Sequence, residues 1–198
     1  MPNIKTNGRV IVITGPMFSG KTSTLIHHLE REQYAENKIA VFKPRIDNRY
    51  SAMEIVTHAG QKLSAIVVPT GEEAYGIIMK GAKNVGVVGI EEAQFFSKDA
   101  NIPKLIMELS KGRRVIVTVL NKDHTGEVFG NAGEILAKAD EIECLTAICR
   151  KCRSDGASFT QRVDDKGTPI FGEQVHVGGK EDYEPRCRDC FVFPEGKL

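Results

Sequence analysis

At 198 residues, with 41% hydrophobic residues, the chain is long enough for one full-sized domain and a small appendage. Its 27 Lys and Arg residues against 26 Asp and Glu residues give a formal charge of +1, which argues against a dedicated nucleic-acid binder. No apolar run approaches the length of a membrane span, and residues 1–5 contain no apolar signal core. We therefore expect a cytoplasmic protein whose partners are neither nucleic acid nor membrane.

Strand-like and helix-like segments alternate along the first 148 residues. The predicted strands are residues 10–14, 39–43, 84–90, 115–120 and 142–148, and the predicted helices are residues 23–34, 71–80, 103–111 and 132–138. This alternation predicts an α/β fold with a mostly parallel sheet that is covered by helices on both faces. Ligands of such folds lie beyond the carboxyl ends of the strands, so we expect the chemistry directly after residues 14, 43, 90 and 120.

A complete phosphate-binding motif, G-x-x-x-x-G-K-[ST], joins the first predicted strand to the first predicted helix. Its eight residues are Gly15, Pro16, Met17, Phe18, Ser19, Gly20, Lys21 and Thr22. The glycines let backbone N–H groups turn inward beside the positive end of the helix. Lys21 would reach the β- and γ-phosphates, and the Thr22 hydroxyl would bind Mg²⁺. A loop that only joined strand to helix would not require Lys-Thr, so the motif predicts a bound nucleoside triphosphate.

Two adjacent carboxylates, Glu91 and Glu92, follow the apolar strand that ends at Ile90. A carboxylate in this position is a common second anchor for Mg²⁺. Its neighbour, on the opposite side of the chain, could orient a substrate hydroxyl and accept its proton. The alternative is an acidic pair that only stabilises a helix N-terminus. The position at the end of a strand favours the catalytic interpretation.

The residues alone do not decide whether the other polar and aromatic candidates bind substrate. The mixed-charge segment 43–50 could steady phosphates or could be a solvated loop. Phe95 and Phe129 could stack on a planar base or could belong to the core.

Four of the five cysteines form two Cys-x-x-Cys pairs, Cys149 with Cys152 and Cys187 with Cys190. In a reducing compartment such pairs predict a closed, structural zinc site with four sulfur ligands. The intervening chain is poor in apolar runs, so a metal would have to stabilise it. We therefore predict two domains, residues 1–148 and 149–198, the second ending in a tail from residue 191. The fifth cysteine, Cys144, is predicted to be a small buried side chain.

These motifs occur in one order and together resemble the zinc-containing thymidine kinase family, from about residue 8 to residue 190. The resemblance rests on the phosphate-binding motif, Asp47-x-Arg49-Tyr50, Glu92-Ala93-Gln94-Phe95-Phe96, Gly178-Gly179-x-x-x-Tyr183 and the two Cys-x-x-Cys pairs. It implies a P-loop α/β domain with a small C-terminal zinc-binding domain and a lasso loop at about residues 160–183. It also implies a homotetramer that uses ATP to phosphorylate the 5′-hydroxyl of thymidine or deoxyuridine in nucleotide salvage.

The resemblance also implies a role for each matching residue. Gly15 to Thr22 would bind ATP and Mg²⁺, supported by Asp47, Arg49 and Glu91, and Glu92 would be the general base. The nucleoside would be bound by Met17, Phe95, Leu120, His124, Phe129, Val175, His176, Val177, Gly178, Gly179 and Tyr183.

The chain departs from the family pattern in the magnesium shell and the base pocket. Glu91 replaces an Asp, His124 replaces a Phe, and His176 stands where an aliphatic residue is usual. These departures leave open a catalytically altered kinase homologue. A separate alternative is a zinc-ribbon P-loop ATPase that acts on nucleic acid. From residue 150 onward nine Lys and Arg residues balance nine Asp and Glu residues, so the C-terminal region lacks the basic face expected of such an ATPase.

Overall fold

A computed structural model of the chain describes residues 7–46, 54–56, 60, 62–174 and 182–196. The strands are β1 (Arg9–Thr14), β2 (Ile39–Pro44), β3 (Glu54–Val56), β4 (Lys62–Ser64), β5 (Ile66–Val68), β6 (Val87–Ile90), β7 (Arg114–Val119), β8 (Glu141–Cys144), β9 (Phe159–Arg162) and β10 (Tyr183–Arg186). The helices are α1 (Lys21–Tyr34), α2 (Glu73–Gly81), α3 (Ile102–Leu109) and α4 (Ala132–Leu136), with short 3₁₀ turns at Ala93–Phe95 and Lys98–Ala100.

The central sheet has six strands in the order β5-β2-β6-β7-β1-β8, and every neighbouring pair is parallel. The predicted α/β fold with a mostly parallel sheet is confirmed. Residues 10–14 of β1 are all buried, as expected of a central strand covered on both faces. Because β7 lies between β1 and β6, the carboxyl ends of these three strands open onto one edge of the sheet. This edge carries the phosphate-binding motif and the two adjacent glutamates.

Two apolar clusters fill the two faces of the sheet. One face packs against α1 through Leu25, Ile26 and Leu29. The other face is covered by α2, α3 and α4, and its members include Ile78, Leu105 and Ile135. The helix spacing of these apolar residues explains why one side of each helix is buried. Among the described residues, no helix is long and apolar enough to cross a membrane.

The edge strand β8 differs from its prediction. It ends at Cys144, whereas the apolar pattern predicted a strand to residue 148. The prediction of a buried Cys144 was wrong, because the thiol is exposed. The side chains of β8 alternate: Glu141 and Glu143 pair with Arg9 and His28, while Ile142 and Cys144 are on the exposed side.

The C-terminal region is built on a two-stranded antiparallel ribbon of β9 and β10, in which Tyr183 is opposite Arg162. Its residues 191–193 are not a loose tail, as the sequence suggested. The Phe191 ring is buried and stacks on Phe159 at 4.5 Å between centroids, and Phe193 contacts both rings edge-on. The chain after the last cysteine therefore completes the small core of this region.

Candidate active site and metal centre

The phosphate-binding motif forms a tight loop between β1 and α1. Gly15 has φ of 151°, and a Cβ there would lie 2.5 Å from the Leu145 carbonyl oxygen, so only glycine fits. Gly20 and Phe18 also have positive φ, at 87° and 65°. The Pro16 carbonyl accepts hydrogen bonds from Ser19 Oγ at 2.8 Å and from Lys21 Nζ at 2.7 Å. The loop thus has the curled backbone that a phosphate cradle requires.

A carboxylate contacts this loop across the intervening strand. Thr22 Oγ1 donates a hydrogen bond of 2.6 Å to Glu91 Oε1, although the two residues are 69 positions apart in sequence. Glu91 is buried, and its Oε2 has no hydrogen-bond partner within the described part of the chain. Burial, and then the nearby charge of Glu92, raise the pKa of Glu91 to about 7, against the opposing effects of Thr22 and Lys21. A hydroxyl beside a carboxylate with one unused oxygen is a donor set that suits Mg²⁺.

Glu92 adopts a left-handed backbone, with φ of 47° and ψ of 48°. This conformation is unfavourable for a residue with a side chain, and such residues cluster at functional sites. The Glu92 N–H donates to Thr118 Oγ1 on β7 at 2.8 Å, which helps to hold the turn. Burial raises the pKa of the half-buried Glu92 carboxyl, while the charges of Lys21 and Lys43 oppose that increase. The carboxylate is therefore a stronger proton acceptor than an ordinary surface glutamate.

Several residues predicted to line the nucleoside site come together beyond β6 and β7. The Phe95 and Phe129 rings meet edge-to-face at 5.3 Å between centroids, and Leu120 is buried beside this turn. The link between them is Gln94, to which the sequence assigned no role. Its Oε1 accepts a hydrogen bond of 3.0 Å from Leu120 N. A Cβ on Gly130 would lie 2.6 Å from the Gln94 carbonyl oxygen, so the two turns are in close contact.

The C-terminal ribbon approaches the phosphate-binding loop directly. Met17 N donates a hydrogen bond of 2.9 Å to Thr160 Oγ1 on β9, and Thr160 is buried. Thr160 stands at the start of the lasso loop that the resemblance implies, but it belongs to no motif and the sequence assigned it no role. The predicted nucleoside contacts Tyr183 and His124 are buried as well. Burial raises the pKa of the Tyr183 hydroxyl.

The four predicted metal ligands converge. The Sγ atoms of Cys149, Cys152, Cys187 and Cys190 all lie within 4.8 Å of one another. Two of them, on Cys152 and Cys187, are 3.7 Å apart, which matches the separation of about 3.8 Å that follows from Zn–S bonds of about 2.3 Å in a tetrahedron. Burial alone would raise the pKa of the Cys149 thiol, but backbone N–H groups, chiefly those of Cys152 and Cys187, lower it to about 6. The cluster can therefore hold a zinc ion.

Seven predicted site residues lie outside the described residues, so their roles stay predictions. They are Asp47, Arg49, Val175, His176, Val177, Gly178 and Gly179.

The chain is similar in sequence to known thymidine kinases. A sequence model of the thymidine kinase family matches residues 8–191. A thymidine kinase of Thermococcus kodakarensis is 41% identical over 198 residues, which covers 98% of this chain and 100% of that protein. Among solved structures, the Legionella pneumophila ATPase DotB matches with a TM-score of 0.43 and 15% identity over 78% of this chain. This chain spans 47% of the DotB chain.

Proposed function

The chain belongs to the thymidine kinase family, and on that premise we propose that it transfers the γ-phosphate of ATP to the 5′-hydroxyl of thymidine or deoxyuridine. Nucleoside phosphorylation is the activity expected of an enzyme in this family. The observation that supports the proposal most strongly is the 2.6 Å contact between Thr22 and Glu91, because it brings the phosphate-binding loop beside the acidic pair. The site for ATP, the phosphoryl donor, and the site for the nucleoside, the phosphoryl acceptor, would then lie at the same edge of the sheet.

On the donor side, the loop of residues 15–22 would bind the phosphates of ATP through backbone N–H groups, of which Pro16 has none and Met17 donates its own to Thr160. The Lys21 ammonium, which donates to the Pro16 carbonyl, would exchange that partner for the β- and γ-phosphates. Thr22 and Glu91, supported by Asp47 and Arg49, would hold Mg²⁺, which when bound neutralises charge on the transferred phosphoryl group.

On the acceptor side, Glu92 would orient the 5′-hydroxyl and accept its proton as the phosphoryl group arrives. A carboxylate whose pKa is raised by burial is suited to this role, because its basicity lies closer to neutral pH. The nucleoside would lie against residues from both parts of the chain. These are Met17, Phe95, Leu120, His124, Phe129, Tyr183 and residues 175–179.

The zinc ion would have a structural role. Four sulfur ligands leave no open position for chemistry, and they would join the two ends of the ribbon that carries Thr160 and Tyr183. We therefore propose a boundary between residues 148 and 149, with the second domain supplying part of the nucleoside site. A zinc site built from free thiols suits a reducing compartment, so we propose a cytoplasmic location. On the resemblance to the family alone, we also propose a homotetramer that acts in nucleotide salvage.

The direct test measures ADP formation from ATP and Mg²⁺ with a panel of nucleosides, and in a parallel arm with single-stranded DNA. We expect turnover with thymidine or deoxyuridine, formation of the 5′-monophosphate, and no stimulation by DNA. Lys21→Ala is the negative control, because it removes the charge expected at the phosphates. ATP hydrolysis that DNA stimulates and no nucleoside accelerates would instead support a nucleic-acid-directed ATPase.

A further inference from the structure

Asp123 organises a short hairpin turn, residues 122–128, directly before Phe129. Lys122 and Val128 form the bridge that closes the turn. Asp123 Oδ1 accepts hydrogen bonds from Thr125 N at 2.8 Å, from Thr125 Oγ1 at 2.7 Å and from Glu127 N at 3.2 Å. The side chain is buried, with 5% of its surface exposed. One carboxylate oxygen is therefore fully used in holding the shape of this turn.

The second oxygen of the same carboxylate reaches the C-terminal region. Gln174 Nε2 donates a hydrogen bond of 2.7 Å to Asp123 Oδ2 and another of 3.3 Å to the Val128 carbonyl. Both hydrogens of the Gln174 amide are thus directed at the turn. Hydrogen bonds to an ionised carboxylate are about twice as strong as neutral ones. This pair is a specific link between two regions 51 residues apart in sequence.

Both ends of the link adjoin residues proposed to contact the nucleoside. The turn contains His124 and leads into Phe129, whose ring packs on Phe95. Gln174 directly precedes residues 175–179 in the sequence. The phosphate-binding loop, in contrast, is joined to the C-terminal region through Thr160. The Asp123–Gln174 pair therefore belongs to the acceptor side of the site.

We propose that Asp123 and Gln174 are positioning residues for the acceptor nucleoside, because their hydrogen bond sets the C-terminal region against the pocket wall formed by residues 120–129. This inference rests on the proposed function. A pair that only stabilised the fold would affect both substrates alike. A positioning pair alters the KM for the nucleoside and leaves the KM for ATP unchanged.

Three variants test the hydrogen bond between Asp123 and Gln174. Gln174→Glu places two carboxylates against each other. Asp123→Asn keeps Oδ1 as an acceptor for the turn, but its amide nitrogen leaves Gln174 able to keep only one of its two hydrogen bonds, either to residue 123 or to the Val128 carbonyl. The double variant restores the hydrogen bond between residues 123 and 174 with donor and acceptor exchanged, but it places a carboxylate oxygen beside the Val128 carbonyl and does not restore that contact. Asp164→Asn is the matched control, since Asp164 Oδ1 accepts from Lys166 N at 2.9 Å and Thr168 N at 2.8 Å within its own exposed turn.

We expect each single variant to raise the KM for thymidine about tenfold, the effect of losing one charge-assisted hydrogen bond. The double variant should have a lower KM for thymidine than Gln174→Glu, because it removes the contact between two carboxylates, and Asp164→Asn should leave the KM unchanged. The KM for ATP at saturating thymidine and the zinc content should stay at the wild-type level in every variant. Amide hydrogen exchange in residues 122–128 should be faster in Gln174→Glu than in the wild type.

The inference is overturned if the single variants keep the wild-type KM for thymidine, if both substrates are affected equally, or if the double variant is no better than the worse single one. Unchanged hydrogen exchange in residues 122–128 would also overturn it, and this measurement does not depend on turnover. A wild-type enzyme without nucleoside-dependent turnover would instead refute the proposed function. An active wild type whose variants behave normally would refute the pair alone.

Discussion

Glu92, the proposed general base, has a left-handed backbone conformation. We therefore predict that a glutamate at this position lowers the free energy of unfolding of the protein. The Glu92 φ of 47° and ψ of 48° are readily adopted by glycine but not by other residues. We compare Glu92→Gly, which removes both the strain and the carboxylate, with Glu92→Gln, which keeps the strain and removes only the charge. The difference between the two variants therefore reports mainly the backbone strain.

The size of the effect follows from two opposing terms. A left-handed residue with a Cβ costs about 1–2 kcal/mol, while glycine costs about 0.5–1 kcal/mol in additional chain entropy on folding. The net gain for Glu92→Gly over Glu92→Gln is thus about 0.5–1 kcal/mol, which corresponds to a rise of about 1–4 °C in Tm for a chain of this size. Glu36, exposed at the end of α1 with φ of 61°, is a matched control. Glu36→Gly should have a higher Tm than Glu36→Gln by a similar amount, and both variants should keep the wild-type turnover.

Thermal unfolding and steady-state turnover are measured on the same preparations. Both Glu92 variants should lose about 100-fold or more of their turnover, the usual contribution of a general base, while nucleotide binding is retained. Turnover of Glu92→Gln within about tenfold of the wild-type value would remove Glu92 from the role of base. A Glu92→Gly variant that melts below Glu92→Gln, while the Glu36 pair behaves as expected, would refute the strain argument.

Three further predictions concern stability. One zinc ion per chain should be found by metal analysis, and its removal by a chelator should lower the Tm and expose residues 149–190 to proteolysis; a metal-free protein with full activity and stability would contradict the four-cysteine site. Gly130→Ala should destabilise the protein by about 3 kcal/mol in urea unfolding, because its Cβ would meet the Gln94 carbonyl; Gly167→Ala, with φ of 77° and open space around it, should cost only about 1 kcal/mol. Phe191→Ala should cost about 3 kcal/mol by the same measurement, and a value near zero would show that the Phe159 stack does not stabilise the C-terminal region.

Much of the fold could be predicted because its signals are local. The apolar, β-branched run before Gly15 forms β1, and the helix spacing of Leu25, Ile26 and Leu29 places one side of α1 on the sheet. The same reasoning failed at β8, where an apolar run predicted a buried Cys144. Periodicity does not say which strand will stand at the edge of a sheet, and β8 is an edge strand whose Ile142 and Cys144 side is exposed.

The sequence by itself determined the phosphate-binding loop and the four-cysteine cluster, because each depends on residue types at short, fixed spacing. Only the tertiary structure decided how these parts meet. The contact between Thr22 and Glu91 depends on β7 lying between β1 and β6, and strand order is not encoded in the alternation of strands and helices. The contacts of Gln94 and Thr160 likewise join segments far apart in sequence. Such contacts depend on how the elements pack, so no short sequence motif predicts them.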